Sequence, residues 1–195
     1  MNPFYREDSP MQPSPRPSNI RPILGAVALC SVAAAVYFLV APNKPLVLAP
    51  AILASVTPTD SFTRVAGKGA RPVHIFISVD CSFCRQVESE LAHVDNVKVH
   101  YHLLPGHSAD ARQDSRKVWC AANQAEAWST FARGGALAPA RCDDAALDRN
   151  RALALQLGFD RTPAMVLADG RVLTGALSTA VLERELASSE AVAAK

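Results

Sequence analysis

Two cysteines three positions apart, in Cys81-Ser82-Phe83-Cys84, hold the most reactive chemistry in this chain. They follow an apolar run, residues 73–79 (VHIFISV), and open a stretch in which Cys84, Val87, Leu91 and Val94 recur at helical spacing. A cysteine at a helix start lies among unpaired backbone N–H groups, which stabilise a thiolate. With Asp80 as the expected N-cap, Cys81 is the first helical residue and exposed, while Cys84 falls on the apolar stripe and is buried. One thiol would then attack and the other resolve. Lowering a thiol pKa by two takes about 2.7 kcal/mol, whereas a helix dipole supplies about 0.3–1 kcal/mol, so direct N–H to sulfur hydrogen bonds must supply the rest. The charge on Asp80 opposes a neighbouring thiolate, and as a cap it competes for the same amides.

Thr162-Pro163 is the second constellation. A proline directly before the apolar run 164–167 cannot donate to a sheet ladder and belongs at a strand start, where a cis bond would turn the backbone sharply. If that turn abuts Cys81, the backbone of Thr162 can pair with an extended substrate. Cys120 and Cys142 flank a helical region, and a bond between them would close a loop worth roughly 3 to 3.5 kcal/mol in the chain-entropy model. That bond reads as structural; a second redox-active pair is the alternative. A zinc site built from residues 81, 84, 120 and 142 is a further alternative, opposed by the 21 residues between the second pair and by the helix that the first pair opens. His100 and His102 share one strand face and read as the polar face of an edge-type strand rather than a metal site, while His74 reads as lying within the sheet. Trp119, Trp128 and Phe131 read as core. No nucleophile elbow and no phosphate-cradling glycine loop is present, so no cofactor and no metal is expected.

The elements that position these residues follow from periodicity. Residues 97–104 alternate Val97, Val99, Tyr101 and Leu103 with Lys98, His100 and His102, a strand that completes a β-α-β unit and should run parallel to 73–79. One helix is expected over 114–132, ended by Gly134-Gly135, and another over 143–157, closed by Gly158. Strands 164–167 and 171–173 flank Asp169-Gly170, a hairpin signal, and a last helix starts after Ser178. The order β-α-β, helices, β-β-α predicts an α/β, thioredoxin-like fold with a helical insertion.

Upstream of it, Pro3, Pro10, Pro13, Pro15, Pro17 and Pro22 mark residues 1–22 as a disordered tail. Residues 23–41 (ILGAVALCSVAAAVYFLVA) carry no charge and approach the ~20 residues of a membrane-spanning helix; a cleaved signal peptide is the alternative. Arg6, Arg16 and Arg21 before the span, against Lys44 after it, place the tail in the cytoplasm and the following domain outside. Disulfides persist in that compartment. Residues 42–71 read as a linker and 72–190 as the folded domain. The net charge of +2, with no basic run longer than Arg116-Lys117, argues against nucleic acid as a partner.

Val118-Trp119-Cys120-Ala121, Ala138-Pro139-Ala140-Arg141-Cys142-Asp143, Leu157-Gly158, and Thr162-Pro163-Ala164-Met165-Val166-Leu167 with Asp169-Gly170, taken with the cysteine pair, resemble the catalytic domain of the DsbC and DsbG disulfide isomerases. The resemblance implies Cys81 as nucleophile, Cys84 as resolving cysteine, Thr162 and Pro163 as the cis-proline loop and Cys120–Cys142 as a structural disulfide. Ser82 and Phe83 stand where the family has Gly-Tyr and, with Thr162 and Pro163, are the implied substrate contacts. Family isomerases carry an N-terminal dimerisation domain that the linker cannot contain; a membrane helix is expected in its place. The implied function is a single-pass, inner-membrane-anchored thiol-disulfide oxidoreductase or isomerase facing the periplasm. Its substrates would be cysteine-containing periplasmic proteins, and its electrons would come from a membrane donor of DsbD type. A redox-silent assembly module of an envelope secretion or conjugation apparatus is the other reading.

Overall fold

The computed structural model describes residues 46–193, which belong to the second of two units, Pro45–Lys195. The expected tail 1–22 and membrane span 23–41 lie outside the described residues. Among those described, no helix is long and apolar enough to cross a membrane.

A five-stranded sheet of order β1-β3-β2-β4-β5 forms the centre. Its strands are β1 (Phe62–Val65), β2 (Arg71–Ile77), β3 (Val97–Leu103), β4 (Ala164–Leu167) and β5 (Val172–Thr174). β2 and β3 run parallel, from Arg71 opposite Val97 to Ile77 opposite Leu103, and the other pairs are antiparallel. The helix between them, α2 (Ser82–Leu91), supplies the crossover that a parallel pair requires. Alternation sorts β2 and β3 between two apolar clusters: Val73, Ile75, Ile77, Val97, Val99, Tyr101 and Leu103 pack with Cys84, Val87 and Leu91 of α2, whereas Phe76 packs with Leu157 and Phe159. Burial of this kind contributes about 25 cal/mol per Å² of apolar surface, which makes the α2 stripe the main reason that the helix docks where it does.

Three expectations are corrected. The stretch taken as linker contributes to the domain. A short helix, α1 (Pro50–Leu53), is followed by β1 at the sheet edge, and Leu48, Val56 and Phe62 are buried. Phe62 stacks on Tyr101 with ring centroids 5.0 Å apart. The four residues Phe62-Thr63-Arg64-Val65 do not alternate and are too few for periodicity to separate from loop, and only their pairing with β3 makes them a strand.

The helix expected over 114–132 is two, α3 (Ala109–Trp119) and α4 (Gln124–Ala132). The break falls at Cys120 to Asn123, where the Asn123 side chain accepts from the backbone N–H of Glu126 and caps α4. The second insertion helix, α5 (Ala145–Gln156), ends at Gly158 with φ +75° and the Phe159 N–H donating to Ala154 O, as its C-cap glycine signals. The final helix is α6 (Thr179–Ala193).

β3 is interior rather than an edge, and α5 covers its polar face at His102, while His100 is partly exposed. His102 is 1% exposed, and its Nδ1 lies 3.2 Å from Asn150 Oδ1. The Asn150 amide nitrogen donates to Asp60 O and Leu103 O, which assigns Oδ1 as the acceptor and places the His102 proton on Nδ1. His102 Nε2 then accepts from His74 Nδ1 at 2.9 Å. Burial holds His74 down to about 3 and His102 down to about 4. Both are neutral when folded and take up protons near 6.5 when unfolded, so the stability they support is complete above pH 6.5 and drains as pH falls towards 4. We expect the thermal midpoint to fall as the pH is lowered from 6.5 to 4, with the loss beginning above the range in which most carboxylates titrate. A His74→Asn/His102→Asn variant should show a flatter profile over that range, and an identical profile would refute the assignment.

Candidate active site

β2 delivers the chain to the site. After Ile77 the backbone turns through Ser78, Val79 and Asp80, with the Cys81 N–H donating to Ser78 O at 3.3 Å. The helix begins one residue later than expected: Cys81, not Asp80, is the N-cap of α2, with extended φ −97° and ψ 110°. Its Sγ accepts from the backbone N–H of Cys84 at 3.1 Å, so the sulfur itself fills the place of a capping oxygen. Asp80 is turned away and bound by other donors. Ser78 Oγ donates to its Oδ1, while the His107 backbone N–H and Nδ1 reach its Oδ2 at 2.9 and 2.8 Å. These contacts take the Asp80 carboxyl down to about 2 against its partial burial. The competition anticipated between Asp80 and Cys81 for the same amides is therefore absent.

The two thiols, both free, have unequal surroundings. Cys81 is half-buried, and Cys84 is fully buried on the apolar stripe. The Cys84 thiol donating to Cys81, with backbone N–H groups of Cys84 and Phe83, holds Cys81 down to about 6. Burial, and the proton it shares with Cys81, push Cys84 far above the ordinary thiol range. Moving a thiol from 9.0 to about 6 takes roughly 4 kcal/mol of preference for the thiolate, several times what a helix dipole provides, so the hydrogen bonds carry most of it.

The loop before β4 completes the site. Cys81 Sγ lies 3.2 Å from Thr162 O, and the Thr162–Pro163 peptide is cis. Thr162 lines cavities on both sides: one of about 280 Å³ walled by Leu104, Pro105, Leu155 and Phe159, the other of about 680 Å³ bounded by Phe83, Gln86, Gly175 and Ala176. Ser82 is exposed and Phe83 is 59% exposed beside the second. Cys81, Cys84, Ser82, Phe83, Thr162 and Pro163 are thus gathered at one end of the sheet. Cys120 and Cys142 are bonded to each other and belong to the insertion. Among the described residues no group of three or more His, Cys, Asp or Glu side chains is arranged to hold a metal ion.

The sequence reading missed two groups of residues. His107 reaches Asp80 because the Pro105-Gly106 turn packs tightly on α3: a Cβ on Gly106 would collide with Ala111. Glu88, one turn beyond Cys84, is buried, and its Oε2 accepts from Tyr101 Oη at 2.7 Å and Trp128 Nε1 at 3.0 Å. Its place four residues after Cys84 and three before Leu91, on the apolar face of α2, is the only sequence signal for it.

A thioredoxin-like domain model matches residues 59–189. The probable thiol:disulfide interchange protein DsbC of Bordetella pertussis is 33% identical over 123 residues, covering 63% of this chain and 44% of the relative. The thiol:disulfide interchange protein DsbC of Escherichia coli K12 is 31% identical over 107 residues, covering 53% and 45%. The chain spans less than half the length of these curated relatives. Among solved structures, a disulfide interchange protein from Neisseria gonorrhoeae superposes with a TM-score of 0.61 at 26% identity, over 69% of this chain and 99% of that one. Proteus mirabilis ScsC in a compact conformation has a TM-score of 0.61 at 17% identity, over 90% and 97%, a likeness of fold.

Proposed function

We infer the function from this premise: the chain belongs to the thioredoxin-like domain family and is DsbC-like in sequence. The reading is a periplasmic thiol-disulfide oxidoreductase of isomerase type, anchored to the inner membrane through residues 23–41. The single observation that carries it is the Cys81 sulfur, capped by the Cys84 N–H, 3.2 Å from Thr162 O and backed by a buried Cys84.

The Cys81 thiolate attacks one sulfur of a client disulfide. A Cys81–client S–S bond forms, the client S–S bond breaks, and its electron pair leaves with the second client sulfur, which takes a proton. A client thiolate can then displace Cys81 and leave a rearranged disulfide. Alternatively Cys84, having lost its proton, attacks Cys81 Sγ; this gives a Cys81–Cys84 disulfide and a reduced client. In the second route two electrons must be restored by a membrane dithiol donor of DsbD type. Thr162 and Pro163 are assigned to aligning the extended client segment, and Ser82 and Phe83 to contacting it. The bond between Cys120 and Cys142, 22 residues apart, is assigned a structural role worth about 3 kcal/mol in the chain-entropy model.

The test is the redox state of Cys81 and Cys84 in growing cells, trapped by acid quench and thiol alkylation of the full chain. A mostly reduced pair is the expected result for an isomerase or reductase. A mostly oxidised pair would redirect the assignment to an oxidase, and cysteines inert to both oxidant and reductant would overturn it.

A further inference from the structure

Asp80 is the charged group nearest the proposed nucleophile in sequence, and the chemistry described so far gives it no task. A carboxylate immediately before a helix cap has access to the same first-turn amides as the cap, and its charge opposes a thiolate beside it. Here it is held elsewhere by three donors. One is the buried Ser78 hydroxyl, and two come from His107, through its backbone N–H at 2.9 Å and Nδ1 at 2.8 Å. The tight packing of Gly106 on Ala111 fixes the turn that presents His107, while the imidazole itself is 82% exposed.

We propose that His107 is a positioning residue that acts through Asp80: it keeps the carboxylate off the amino end of α2, leaves those amides to the Cys81 sulfur, and screens that sulfur from a neighbouring negative charge. The inference rests on the thiol-exchange reading of Cys81. The other charged groups around the pair are already occupied. Arg85 on α2 donates to Val79 O, Asp160 and Arg161 on the loop before Thr162 pair with each other, and Arg151 on α5 donates to Pro105 O. None of them reaches the Asp80 carboxylate.

The test uses the full chain, reduced, with iodoacetamide alkylation of Cys81 followed by mass spectrometry from pH 4 to 9. A small reagent does not depend on the cavity of about 280 Å³ beside Thr162, which His107 also lines. His107→Ala is expected to move the midpoint of the alkylation–pH profile up from about 6 by about a half, which cuts the thiolate share at pH 6 about twofold. His107→Gln, which keeps a neutral donor, should recover part of the loss. Asp80→Asn should alkylate at least as fast as the unaltered chain, and adding His107→Ala to it should change nothing. An unmoved midpoint in His107→Ala, or the same displacement in the Asp80→Asn background, overturns the proposal while leaving the thiol-exchange reading intact. If Cys81 of the unaltered chain alkylates no faster at pH 6 than an ordinary cysteine, that reading fails and the inference falls with it.

Discussion

Cys84→Ala is expected to accumulate the chain in reductant-sensitive mixed disulfides with envelope proteins, and Cys81→Ser to form none and to lose disulfide exchange by more than about a hundredfold. At pH 7 a thiol of pKa about 6 is roughly 90% thiolate, against about 1% for one at 9.0. Nucleophilicity falls with pKa along a Brønsted slope of about 0.4–0.5, so the net gain in attack is only about fourfold. The larger benefit is in departure. A sulfur of low pKa leaves a mixed disulfide readily, whether a client thiol or Cys84 displaces it. Cys84 is buried and keeps its proton until Cys81 is engaged, which makes it a resolving group rather than a competitor for clients. Removing it closes the intramolecular exit while the backbone N–H that caps Cys81 stays in place. The measurement is a non-reducing gel of cells expressing each full-length variant. A folded Cys84→Ala chain that runs only as monomer would sink the mechanism.

Glu88→Ala should cost about 3–5 kcal/mol of folding stability, the largest single loss expected outside the apolar core. The carboxylate accepts from Tyr101 Oη and Trp128 Nε1 and stands 3.9 Å from Arg64 Nε, which also donates to Tyr101 Oη. Burial raises the Glu88 pKa, so the group is held against a desolvation penalty that its donors offset. An alanine leaves the Tyr101 hydroxyl and the Trp128 indole N–H buried without an acceptor and Arg64 without a counter-charge, and each orphaned group costs about 1–3 kcal/mol. Glu88→Gln keeps an acceptor and should lose about 1–2 kcal/mol. Urea unfolding of the three proteins checks the order. Because Glu88 ties α2 to β3 and α4, Cys81 alkylation in the folded fraction should stay within about twofold; equal midpoints for Glu88→Ala and the unaltered chain would refute the network.

Much of the site is legible from local spacing. The i, i+3, i+7 stripe of α2 separates an inward Cys84 from an outward Cys81, alternation in 73–79 and 97–104 together with the helix between them implies the parallel β2–β3 pair, and Gly158 and Asp169-Gly170 mark a helix end and a hairpin. The cap differs from the expected Asp80 because Asp80 and Cys81 are both competent at that position. The choice was made by Ser78 and by His107, 27 residues away. β1 is not legible because the four residues Phe62-Thr63-Arg64-Val65 carry no alternation and no signature apart from their partner, and the α3–α4 break is not because the helix-favouring residues on both sides outweigh the short Asn123 to Glu126 signal.

What the residues alone determined, then, is which side chains lie on which face of each element, since that depends only on the 3.6 and 2.0 residue repeats of the backbone. The tertiary structure alone decided which groups meet across long separations: Cys81 with the Thr162 carbonyl, 81 residues on, His74 with His102 inside the sheet, and Glu88 with Trp128. Those contacts set the proton affinities of the site through burial and directed hydrogen bonds, and neither exists until strands and helices distant in the chain have packed.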